Sequence, residues 1–173
     1  IVVGQGRLDV GGDVSGFPFV SVNGRDSDPG IVTVGGRLER GRDVPDSRVS
    51  VGSISNQVGE LELGSGIFDF DVIEVGTNSG NGSLEILSGG LGGPDPVGDG
   101  ALLPELTVGG GGSIGSESRG NATVAGNVNT RVLSVGRDNA VGELRVDGDV
   151  RVGSLVARPA VDEALFVGFN NAA

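Results

Sequence analysis

Apolar and polar positions alternate along this chain in short groups of three, and the groups recur. Seven are closed by glycine: Ile1-Val2-Val3 before Gly4, Val20-Ser21-Val22 before Asn23-Gly24, Val49-Ser50-Val51 before Gly52, Ile73-Glu74-Val75 before Gly76, Leu106-Thr107-Val108 before Gly109, Leu133-Ser134-Val135 before Gly136 and Leu165-Phe166-Val167 before Gly168. Between them lie six more triplets: Leu8-Asp9-Val10, Val32-Thr33-Val34, Leu61-Glu62-Leu63, Leu84-Glu85-Ile86, Ala122-Thr123-Val124 and Leu144-Arg145-Val146. A period of two is the strand period, with one face apolar and the other polar. Each repeat is therefore predicted to hold two short strands, separated by Gly, Asn, Asp and Ser, which take turn conformations at little cost. Helix is excluded by the spacing, by the β-branched residues and by the recurrence of glycine.

Gly4 and Gly168 are 164 positions apart over six intervals, a mean period of about 27, which lies in the range of stacked repeat architectures. A β-sandwich also uses short, regularly spaced strands. It has no reason to repeat one triplet-plus-glycine motif seven times, whereas a coil stacked on copies of itself does. The expected fold is all-β, a parallel β-helix (β-solenoid) of about six to seven rungs, with residues 1–173 forming a single segment.

Composition sharpens this picture. Glycine supplies 35 of the 173 residues, several times ordinary usage, without the three-residue period of collagen. Mean hydropathy of +0.08 with 20% charged residues is too apolar for a disordered chain. There is no Cys, His, Met, Trp or Tyr, and all twelve basic residues are Arg. These absences remove disulfides, thiolate and imidazole chemistry, Schiff bases and the phosphate-binding lysine. A net charge of −11 disfavours nucleic acid and anionic membranes as partners, and no stretch approaches the eighteen apolar residues of a spanning helix.

Two stretches carry a family resemblance. Gly82-Ser83-Leu84-Glu85-Ile86 leading to Leu106-Thr107-Val108-Gly109, and Gly142-Glu143-Leu144-Arg145-Val146 leading to Leu165-Phe166-Val167-Gly168, resemble the Gly-rich repeats of bacterial surface β-helix proteins, namely autotransporter passengers and related extracellular repeat proteins bearing sorting signals. The resemblance covers nearly the whole chain and implies a bacterial extracellular or cell-surface location. The family's C-terminal barrel, sorting tail and signal peptide have no counterpart in these residues, so on this resemblance they lie outside the segment or were removed.

Stacking would turn outward positions into columns. The first reads Val2, Ser21, Ser50, Glu74, Thr107, Ser134, Phe166, and is expected to be a solvated face; with one Thr it is no ice-binding array. Its apolar terminal members, Val2 and Phe166, with Phe169 just beyond, are candidate end contacts. The second column reads Asp9, Thr33, Glu62, Glu85, Thr123, Arg145, and sets Glu62 beside Glu85, a like-charge pair. The segments after the second triplets, 11–19, 35–48, 64–72, 87–105, 125–132 and 147–164, have lengths of 9, 14, 9, 19, 8 and 18 residues. Long loops on one side of a solenoid commonly bind partners. Candidate contacts are therefore Arg37, Arg40, Arg42 and Arg48 in one long loop, and Asp95 and Asp99 in the longest.

Asp95 and Asp99 sit among glycines, as in a calcium β-roll, but the strict nonapeptide period is missing, so no cofactor is expected and calcium is the one candidate. A sugar-cleaving site would have to use carboxylates and Arg, for instance Asp43 and Asp46 near Arg42 and Arg48. With no aromatic platform to stack a sugar ring, a catalytic role is not expected. No polar cap is visible at either end. The chain thus reads as an internal part of a longer protein or as a filament subunit whose partners are like subunits or flanking repeats, end to end. The expected function is a structural surface fibre, stalk or adhesin passenger, with surface glycans or other cells as the further partner. The alternative is a carbohydrate-binding or carbohydrate-cleaving β-helix.

Overall fold

A computed structural model describes residues 1–40, 47–92, 105–112, 116–152 and 164–167, the last four by their backbone. All regular structure among them is strand. The first repeat contributes β1 (Val2–Val3), β2 (Gly6–Val10) and β3 (Val14–Ser15), and the second β4 (Phe19–Val22), β5 (Gly24–Arg25), β6 (Gly30–Val34) and β7 (Arg37–Glu39). The third holds β8 (Arg48–Val51), β9 (Gln57–Leu63) and β10 (Gly66–Phe68); the fourth holds β11 (Val72–Thr77) and β12 (Asn81–Ile86). β13 (Glu105–Gly110), β14 (Ser118–Val124) and β15 (Val128–Thr130) follow, then β16 (Val132–Val135), β17 (Ala140–Val146), β18 (Val150–Val152) and β19 (Ala164–Val167).

The first triplets line up in one sheet, here sheet A, in the order β1-β4-β8-β11-β13-β16-β19. The second triplets form sheet B, in the order β2-β6-β9-β12-β14-β17. Strand order follows chain order in both sheets, and every pairing is parallel apart from β5 on β9. The register is the one the alternation demands. In sheet A, Val2, Ser21, Ser50, Glu74, Thr107, Ser134 and Phe166 are successive partners, and in sheet B so are Asp9, Thr33, Glu62, Glu85, Thr123 and Arg145.

The alternation predicts two strands per repeat, and the structure adds a short third one in most repeats, reduced in the fourth to the single bridging residue Leu91. The segments read as loops after the second triplet carry a short third strand: β3, β7 and β10 pair in one sheet and β15 with β18 in another. Single bridges Ile67 to Leu91 and Leu91 to Val128 connect the two, giving a third ladder, C, through Val14, Leu38, Ile67, Leu91, Val128 and Val150. Most of these strands bury a single apolar side chain, and β15 adds a polar one, Thr130, so apart from Val150-Arg151-Val152 there is no apolar alternation for a period of two to register. The available signal is spacing. Val14, Leu38, Ile67, Val128 and Val150 each fall four residues after the last apolar residue of sheet B, and Leu91 falls five after it.

The inward residues of all three ladders meet in one core. Val22, Val51 and Val75 from sheet A, Leu63, Leu84 and Ile86 from sheet B, and Leu38, Ile67 and Leu91 from ladder C are buried together, with Phe70 filling the corner after β10. The core is aliphatic and narrow, as the composition requires. At its two ends it is incompletely covered: Val3, Leu8 and Val10 on one side, and Leu144, Val146 and Val152 on the other, are only partly buried.

Glycine sets how closely the sheets converge. The residues closing the first triplets, Gly52, Gly76, Gly109 and Gly136, have φ between 57° and 69°, the left-handed region that glycine enters without steric cost. Opposite them runs a ladder of Gly30, Gly59, Gly82, Gly120 and Gly142 in sheet B. A Cβ on Gly59, Gly82, Gly120 or Gly142 would collide with the carbonyl oxygen of Val22, Val51, Val75 or Val108. Backbone there rests on backbone, which only a residue without a side chain permits.

Candidate functional site

The sequence predicts solvated outward columns, and for sheet A the structure differs. Ser21, Ser50 and Ser134 are buried, Ser134 completely. Asn23 Nδ2 donates to Ser21 Oγ at 2.6 Å, and Ser50 Oγ donates to Glu74 Oε2 at 3.2 Å, with Arg48 Nη1 at 3.7 Å from the same oxygen.

Sheet B presents the more open polar face. At its first edge Arg7 Nε donates to both carboxylate oxygens of Asp9, at 2.8 and 2.9 Å, and Nη2 reaches Thr33 Oγ1 at 3.2 Å. The hydrogen bond, and then the charge of Asp9, push the Arg7 pKa above its ordinary value. The hydrogen bond from Arg7 draws the Asp9 carboxyl below its own, and the Arg7 charge and Thr33 add to this. Beside this pair a depression is lined by Arg7, Thr33, Glu60, Glu62, Ser83 and Glu85, with Glu62 and Glu85 directly opposed. Further along, a second depression is lined by Glu60, Asn81, Ser83, Arg119, Asn121 and Glu143, among others. The buried Asn81 Oδ1 has no hydrogen-bond partner there. Among the described residues no group of three or more acidic side chains is arranged to hold a metal ion.

Of the arginines expected as partner contacts, the described ones are Arg37, Arg40 and Arg48, and each is ion-paired. Arg37 lies on β7, where its Nη2 is 3.1 Å from Glu39 and its Nε is 3.6 Å from Asp13, while its backbone N–H donates to Asp13 Oδ1. Arg40 follows β7 and places Nη1 3.1 and 3.3 Å from the carboxylate oxygens of Asp71. Asp71 Oδ2 also accepts from the backbone and the hydroxyl of Ser47, each at 2.9 Å. Arg48 opens β8 beside Glu74. Each of these three arginines thus ties neighbouring repeats together. Asp71, inside the segment 64–72 between triplets, is the hub of the tightest such tie.

Of the candidate end contacts, Val2 projects from edge strand β1 with 74% of its surface exposed, and Phe166 occupies the register position opposite Ser134. Phe17 and Phe19, near the same edge as Val2, are also exposed. Arg42, Asp43, Asp46, Asp95, Asp99 and Phe169 lie outside the described residues. Among the described residues no helix is long and apolar enough to cross a membrane. Comparison with protein-family models, with curated proteins and with solved structures yields no match.

Proposed function

We propose that this chain is a structural β-solenoid of six to seven rungs that acts without catalysis, as an extracellular surface fibre, stalk or adhesin passenger, and that it stacks end to end on like subunits or flanking repeats. The observation that carries the reading is the unbroken parallel register of sheet A from Val2 to Phe166, taken in chain order. A chain that returns to the same ladder once per repeat, on three sides of one core, has the form of a coil. The non-catalytic part of the reading is supported by the side-chain inventory, which has no His, Lys, Cys or Tyr. The bacterial cell-surface part rests on the resemblance of the repeats alone.

Imaging tests it. Concentrated protein is expected to give fibres with strands perpendicular to the axis, hence a meridional spacing of about 4.7–4.9 Å. Discrete particles at every concentration would overturn the stacking. The second reading, carbohydrate binding, is favoured by the depression on sheet B, where Asn81, Asn121, Arg119 and Glu143 offer donors and acceptors side by side. Saccharide affinity that is lost in Asn121→Ala and retained in Arg37→Ala would select it.

A further inference from the structure

We propose that a second copy of this chain docks on sheet B, β2 of the incoming copy adding to β17 in the register used between β14 and β17. The inference rests on the reading of the chain as an end-to-end stacking solenoid, and it supplies the contact.

Among the described residues β2 and β17 are the two edges of sheet B. In the interior strands β6, β9, β12 and β14 the inward residues are buried, whereas Leu8 and Val10 on β2 and Leu144 and Val146 on β17 are only partly covered. The register within sheet B pairs glycine with glycine: Gly6 with Gly30, and Gly120 with Gly142. Continued by one strand, it sets Gly142 on the incoming Gly6, Leu144 on Leu8 and Val146 on Val10. The outward positions then meet as Glu143 on Arg7 and Arg145 on Asp9. Both are opposite-charge pairs directly across a ladder, the arrangement that favours pairing. Within the sheet the same two columns contain the like pair Glu62 and Glu85, so opposite signs at both junction positions are not a general property of the face.

The groups involved are free to rearrange. Arg7 and Asp9 have side chains 57% and 59% exposed, and Arg145, now 3.3 Å from Asp147, is 72% exposed. Exposed pairs of this kind are weak and readily exchanged. Ladder C continues in step, because Val150, 46% exposed, falls on Val14. One like-charge contact results, Asp149 over Asp13. Asn127 Oδ1 accepts from the backbone N–H of Asp149 at 2.8 Å, and Asp149 would receive the backbone N–H of the incoming Asp13 in the same way. In sheet A the incoming β1 takes the place now held by β19 on β16. The exchange replaces Leu165-Phe166-Val167 with Ile1-Val2-Val3, an apolar triplet of the same pattern.

A charge-swap experiment on the full chain, read by sedimentation velocity, tests the contact. Arg7→Glu with Asp9→Arg alters one edge, and Glu143→Arg with Arg145→Glu alters the other. Each double variant alone is expected to raise the self-association constant for dissociation by at least about tenfold, since like charges then face each other. An equimolar mixture restores complementarity at both junctions and is expected to recover wild-type association, which also shows that both variants are folded. The wild type has no cysteine, so Ser134→Cys with Phe166→Cys can fasten β19 to β16. The oxidised form is expected to stay monomeric and the reduced form to associate.

Wild-type fibres that form equally well from either swapped variant alone would overturn the proposed register while leaving end-to-end stacking intact. A wild type monomeric at all concentrations would overturn both. Equal association of the oxidised and reduced cysteine variant would overturn the exchange of β19.

Discussion

Single residues in this chain are constrained chiefly by where backbone meets backbone. A methyl group at Gly82 would collide with the Val51 carbonyl, which belongs to a buried strand and cannot move aside. Gly82→Ala is expected to destabilise the protein by about 3 kcal/mol, the upper end for overpacking. Gly12→Ala, at a glycine with nothing within 4 Å, is expected to change stability by less than about 0.5 kcal/mol. Urea midpoints for the two variants measure the contrast, and equal midpoints would sink the close-approach argument. Asp9 provides a second residue-scale test. Its carboxyl pKa is lowered in the folded state by Arg7, so the group contributes stability above its unfolded value of about 3.9, and the contribution is lost as pH falls through the lower folded value. The urea midpoints of wild type and Asp9→Asn should differ by a small constant amount above about pH 4 and converge below it. The amount is small because the pair is exposed and screened.

At the scale of the element, legibility depended on how many inward residues a strand contributes. Sheets A and B offer two apolar positions around one polar position per repeat, and their register follows from the alternation residue by residue, down to Glu62 against Glu85. Ladder C offers few apolar residues per repeat and no apolar-polar-apolar triplet except Val150-Arg151-Val152, so its strands look like turn sequence. Their recurrence lies in a fixed distance from the preceding strand. The interaction of Arg40, Ser47 and Asp71 was equally invisible, because partners 24 and 31 positions apart come together only once the stacking is known. The energetic weight of ladder C is nevertheless that of a core element. Leu38 is 1% exposed, and Leu38→Ala is expected to cost about 3 kcal/mol through lost burial and the cavity left behind. Val150→Ala at the exposed end of the same ladder should cost less than about 1 kcal/mol. Chemical denaturation of both variants decides whether the third ladder bears load or merely follows the other two.

For the whole molecule, the proposed solenoid makes stability a sum of contributions from each repeat and from each interface between neighbours. A repeat in the middle has two such interfaces and a repeat at an edge has one. Opening should therefore start at β2 and at β17 with β18, whose inward residues are partly exposed, and reach β9, β12 and β14 last. Amide exchange at low protein concentration is expected to show protection in β9, β12 and β14 exceeding that in β2 by about a thousandfold or more, the range between local and global opening. If β2 adds to β17 of a second copy, both strands acquire a second neighbour. Their protection should then rise with protein concentration while that of β12 stays unchanged. Uniform protection across all strands would mean that the repeats open as one body, and the additive picture would fail. Edge protection indifferent to concentration would remove the docking of β2 on β17 and leave the graded opening in place.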